Sequence, residues 1–133
     1  NYTDATTYPA SHPQSVTKGT YWTWATGYRF IILEGKVDAA KTGTADAPVS
    51  YHTGTNALTF TVDFANKGDY EFEVKKDAYT HFNLSVDLNK VFYGGPHQLD
   101  LSTELMTHAM GPGYPLAEKI TQNFRAAFSA RKE

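Results

Sequence analysis

The amino-acid sequence predicts an all-β fold: an antiparallel β-sandwich-like domain closed by a C-terminal α-helix. Three observations predict it. Apolar residues recur at every second position in three separate segments, turn-forming residues stand between those segments, and a four-residue apolar spacing appears near the end of the chain. The chain has 133 residues, 41% hydrophobic and 14% aromatic. A chain of that length buries roughly two-thirds of its unfolded surface, enough for a core of its own. Its composition excludes a disordered tail or low-complexity linker.

Taken in order, residues 1–20 are rich in Thr, Ser and Pro, with Pro9 and Pro13 breaking any regular element, and read as an N-terminal arm or loop. Residues 21–133 read as a single β-rich domain. Residues 21–33 are dense in aromatic and β-branched side chains and predict a strand, with Gly27 marking a bulge or a close backbone approach. Polar residues 36–48 predict a long loop. Leu58, Phe60, Val62 and Phe64 then alternate with polar residues; so do Tyr70, Phe72 and Val74, and again Phe82, Leu84, Val86 and Leu88. Each such run predicts a half-buried antiparallel strand with one wet face. Residues 102–109 predict a short helix capped by Ser102. Pro115 then opens a longer one, whose stripe Leu116, Ile120, Phe124 and Phe128 carries it to the chain end at Arg131 and Lys132.

Twelve basic against fourteen acidic residues give a net charge of −2. That balance offers no footprint for a polyanion, so no nucleic-acid partner is expected. No apolar run approaches the roughly 20 residues of a membrane span. The absence of cysteine excludes thiolate nucleophiles, zinc ribbons and iron–sulfur sites, so a soft-metal site has to be built from His, Met and less usual ligands. The start at Asn1-Tyr2-Thr3-Asp4 reads as a processed or truncated end. No phosphate loop, nucleophile elbow or metalloprotease helix motif appears, and the expected class is non-enzymatic.

Of the five histidines, His12 falls in the arm, His81 on the wet side of a strand and His97 in a turn. His108 differs, because Met106 and Met110 flank it at two residues on either side. Imidazole with thioethers suits Cu(I), although methionines also fill core gaps. His52, in Tyr51-His52-Thr53-Gly54, ends a short apolar stretch at a glycine turn and says nothing alone. Trp22 and Trp24 share one face of an extended segment, as core residues, as a binding platform, or with one indole as a ligand precursor.

Several of these segments together resemble the MbnP-like family of periplasmic copper proteins found beside methanobactin genes and in other copper operons. Tyr21-Trp22-Thr23-Trp24-Ala25-Thr26-Gly27-Tyr28-Arg29-Phe30, closing on Leu33-Glu34-Gly35, is similar to its WxW…GY…LEG signature. Tyr51-His52-Thr53-Gly54 resembles its aromatic-His-x-Gly element, and Thr107-His108-Ala109-Met110 with Asn123-Phe124-Arg125-Ala126-Ala127-Phe128 its C-terminal His segment and final helix. The resemblance implies a Cu(I) cofactor held by His52 and His108. It further implies that Trp22 is the residue oxidised to kynurenine by a dihaem partner of the cytochrome c peroxidase/MauG kind (MbnH-like). Met110 is a looser ligand candidate, and Trp24 supports the site from behind. Location in the periplasm or at the cell surface follows, with lipid anchoring through a preceding segment as one route. The family carries further N-terminal strands, so either the chain is cleaved or another polypeptide supplies them. The alternative is a glycan- or peptide-binding β module with an aromatic platform.

Overall fold

The computed structural model describes residues 5–22, 27–64 and 74–132. Among them the fold is β-rich, with two sheets and a C-terminal helix. The chain divides into two compact units: residues 1–59 with 100–118, and residues 60–99 with 119–133.

The first unit is built on β1 (Arg29–Val37) and β2 (Ala47–Gly54), paired antiparallel in a register that sets Ile32 opposite His52 and Glu34 opposite Ser50. The register slips between Arg29 and Ile31. The expected bulge therefore lies at Phe30, not at Gly27. Gly27 instead turns the chain at φ 146°, a conformation open to glycine, and its carbonyl accepts from the Trp22 N–H. The predicted strand over 21–33 is correspondingly shorter: Tyr21 and Tyr28 form an isolated bridge, and the ladder begins at Arg29. The predicted loop over 36–48 shrinks to 38–46, held by the Asp38 carboxylate, which accepts from the Thr42 and Gly43 N–H groups at 2.8 and 2.6 Å.

A third strand, β4 (Met106–Thr107), runs parallel to β2, with Ser50 beside Met106 and Tyr51 beside Thr107. The helix predicted over 102–109 does not form. Asp100 takes up the Ser102 and Thr103 hydroxyls in a turn, and β2 captures the following residues as strand, so tertiary pairing overrides local propensity. The Tyr51 hydroxyl donates to the Glu104 carbonyl at 2.5 Å and ties this segment to the sheet. One face of the sheet is closed by Ile31, Val49, Tyr51, Thr53 and Thr107, all buried. A core cluster of Trp22, Leu58, Ala109 and Ala117, flanked by Tyr114, completes the unit.

The second unit pairs β3 (Phe82–Val86) with β5 (Phe128–Lys132), antiparallel. Two expectations change here. The helix α1 spans Tyr114–Ala127, and Phe128, which fits its apolar stripe by spacing, starts a strand instead. Residues 59–64 carry no regular structure, although the Phe60 and Phe64 rings still meet Phe128 and Phe82 at 6.3 and 6.1 Å. Alternation reports which side of a chain is apolar; a strand also needs a partner for its ladder. β3 itself forms as predicted, yet its apolar residues are exposed. The strand predicted at 70–74 falls mostly outside the described residues. Asn123 is fully buried and organises the loop after a π-helical turn over Lys90–Gly94, donating to the Val91 and His97 carbonyls and accepting from the His97 N–H.

Candidate metal centre

Strand alternation places Ser50, His52 and Gly54 on the sheet face opposite the buried one, with Ile32 and Glu34 beside them on β1. The parallel register of β2 and β4 puts Met106 on this face next to Ser50. His108, two residues further, continues the same row and arrives next to His52. The two imidazoles stand with ring centroids 5.3 Å apart, tilted by 57°. Their separation in sequence, 56 positions, equals the offset between Ser50 and Met106 in the pairing. His52 is 8% exposed, whereas His108 faces solvent.

Trp22 closes one end of this row. A Cβ added to Gly54 would run into the Tyr28 carbonyl and come within 2.6 Å of Trp22 Cζ3 and 3.0 Å of its Cη2. The indole thus occupies the space where residue 54 would carry a side chain, on the His52 side of the strand. Gly54 Cα lies two residues from His52, about 7 Å along the strand. Trp22 is 2% exposed and belongs to the core cluster. The Arg29 guanidinium sits 5.8 Å from the ring centroid, a cation–π distance.

Not every candidate joins them. Ala109 takes φ 59° and turns the chain after His108, so the alternation that carries Met106 and His108 stops before Met110. Met110 is solvent-exposed. Trp24 lies outside the described residues. The sequence offers Met106 as a thioether near His108 but not its place on this face, and it gives Glu34 no role. Met106, 58% exposed, shares the face of His108, a parity invisible while 102–109 reads as helix. Glu34 places Oε1 2.7 Å from His52 Nε2, and the Ser50 hydroxyl lies 3.4 Å from the same nitrogen. Among the described residues no three His, Asp or Glu side chains form a ready metal cluster.

The donor set fits a soft ion on one geometric count. A metal–nitrogen bond of about 2 Å and an imidazole radius of about 1 Å put each ring centroid some 3 Å from a bound ion, so two rings can share it when their centroids lie within about 6 Å. The observed 5.3 Å satisfies that limit.

Comparison with known families now adds a separate observation: the MbnP family model matches residues 1–111. The chain belongs to the MbnP family. The match contains Trp22, His52 and His108 and stops before α1, so the likeness of residues 123–128 to a family helix lies outside it. Membership ties this MbnP-family protein to copper-related proteins of the periplasm. No curated protein and no solved structure gives a significant match. Among the described residues no helix is long and apolar enough to cross a membrane.

Proposed function

We propose that this MbnP-family protein is a non-catalytic copper-binding protein of the periplasm or cell surface, holding Cu(I) between His52 and His108. The observation that carries the reading is the meeting of these two rings, 56 residues apart in sequence, on one face of the sheet. Cu(I) favours imidazole and thioether donors and tolerates low coordination numbers. Two imidazoles alone leave it open to competition, and a third donor closes the site. Trp22, beside Gly54, is that donor once a dihaem peroxidase-type partner has opened its indole to kynurenine, which adds an aryl amine and a carbonyl. Met106 supplements the set from the same face, ahead of Met110. The burial of Trp22 speaks against the alternative of an exposed aromatic platform for glycans or peptides, because its ring offers no free surface for stacking.

The deciding experiment is metal analysis and peptide mapping of protein purified from its native host. The expected result is copper bound to a chain whose Trp22 has lost one carbon and gained one oxygen, with copper lost in His52→Ala and His108→Ala variants. Native protein without copper overturns the function. Copper-loaded protein with an intact Trp22 removes the modification and leaves the two-histidine site standing.

A further inference from the structure

We infer that Glu34 is a positioning residue that fixes the tautomer of His52 and thereby makes Nδ1 the nitrogen it offers to a metal. The ligand half of this inference rests on the proposed function; the tautomer half does not. In the β1–β2 register Glu34 stands opposite Ser50, two pairs along from Ile32 and His52 and next to them on the same face, so its side chain reaches His52 diagonally. The contact is 2.7 Å, from Oε1 to Nε2. A carboxylate accepts hydrogen bonds and has none to donate, so the proton between these atoms belongs to Nε2. A neutral imidazole protonated at Nε2 carries its lone pair on Nδ1. Among the described residues Nδ1 has no hydrogen-bond partner, whereas Nε2 has both Glu34 and the longer contact to Ser50. The ring is therefore satisfied on one side and open on the other. A metal-ligating histidine held at its second nitrogen by a carboxylate is a recurrent arrangement, and it sets both ring orientation and donor strength.

The side chains differ in exposure, 10% for His52 and 61% for Glu34. Solvent screens a charge so exposed, so what Glu34 supplies is the direction of a hydrogen bond more than its negative charge. That distinction makes Glu34→Gln informative: the amide oxygen accepts the same hydrogen bond without the charge. Glu34→Ala removes the acceptor altogether. The position is on the surface, and both variants are expected to melt with the parent.

The test reads the imidazole nitrogens of His52 by heteronuclear NMR in metal-free protein at about pH 8, above the ordinary histidine range. The parent and Glu34→Gln are expected to show the Nε2–H tautomer alone, and Glu34→Ala a mixture with Nδ1–H. Cu(I), delivered as its bicinchoninate complex, is then expected to bind Glu34→Ala about 10–100-fold more weakly than the parent, with Glu34→Gln close to the parent. Cu(I) is diamagnetic, so the Nε2–H signal of His52 is expected to persist in the loaded protein. An Nδ1–H tautomer in the parent, an unchanged tautomer in Glu34→Ala, or loss of the Nε2–H signal on loading each overturns the inference. If the parent binds no copper, the proposed function fails, and the tautomer comparison alone decides the role of Glu34.

Discussion

Replacing Gly54 by alanine tests whether the indole of Trp22 really fills the space above β2. The added methyl would sit 2.6 Å from Cζ3 and 3.0 Å from Cη2 of Trp22, and closer still to the Tyr28 carbonyl. Two of the three obstacles belong to a buried ring in the core cluster and the third to backbone, so none is a flexible tip that can swing aside. Overpacking of this kind costs about 1–3 kcal/mol, and the backbone clash argues for the upper half of that range. For a chain of this size the loss corresponds to roughly 6–10 °C in Tm. The control is Gly35→Ala in β1, where an added Cβ meets nothing within 4 Å; it is expected to stay within about 0.5 kcal/mol of the parent. The assay is thermal and denaturant unfolding of both variants, with fluorescence in a Trp24→Phe background so that Trp22 alone reports. Gly54→Ala is expected to lose stability and to shift Trp22 emission to the red as the ring is pushed toward water. Equal stability of the two variants, with unchanged Trp22 emission, refutes the placement of the indole against Gly54.

Three further outcomes follow from the same structure. Tyr51→Phe leaves the Glu104 carbonyl without its 2.5 Å donor; it is expected to lose about 1–2 kcal/mol in urea unfolding and to speed hydrogen exchange at the Ser50 N–H, which bonds Leu105 across the same edge. Asn123→Ala removes three hydrogen bonds from a fully buried position, and a loss of about 3 kcal/mol or more, read by the same unfolding, is expected. The Asp38 carboxyl is held below its ordinary range first by the Thr42 N–H, and that of Asp100 first by the Ser102 hydroxyl. Folded-state values below the unfolded ones mean that the two loops are stabilised above about pH 4 and lose that support as the pH falls further, so the protection factors of the Thr42 and Gly43 amides, corrected for the pH dependence of intrinsic exchange, are expected to fall below pH 4 and to be flat across neutrality.

Local pattern and long-range pairing divide what the sequence reveals. The apolar stripe of α1 and the alternation of β3 are legible because each is a repeat within one segment. β2 is hidden: Tyr51, His52, Thr53 and Gly54 are all buried and polar residues fall on both of its faces, so no apolar–polar alternation marks it as an amphipathic strand. β4 has two residues, too few for any period, and its existence depends on β2 being present to pair with it. Phe128 shows the opposite failure, since it satisfies the helical spacing but is taken by β3. The candidate site follows the same division. His52, His108 and Trp22 stand out through a family resemblance and the scarcity of soft donors, and Met106 through its place two residues before His108, whereas the contact of Glu34 with His52 and the face of Met106 come from register, which no local window contains.

The row containing His52 and His108 joins parts of the chain between which residues 60–99 of the second unit intervene. Closing a loop of that length is dear in conformational entropy, yet the cost grows only logarithmically: doubling the insert adds about 0.6 kcal/mol. The insert can therefore lengthen or shorten in related chains with little effect on whether the two imidazoles meet. The order of events is less forgiving. A chain emerging from its N-terminus presents His52 long before His108, and contacts so distant in sequence form late. A ligand bridging the two rings cannot be held by a chain that stops short of His108, so such a ligand is taken up only once the segment after β2 and the insert have both been made.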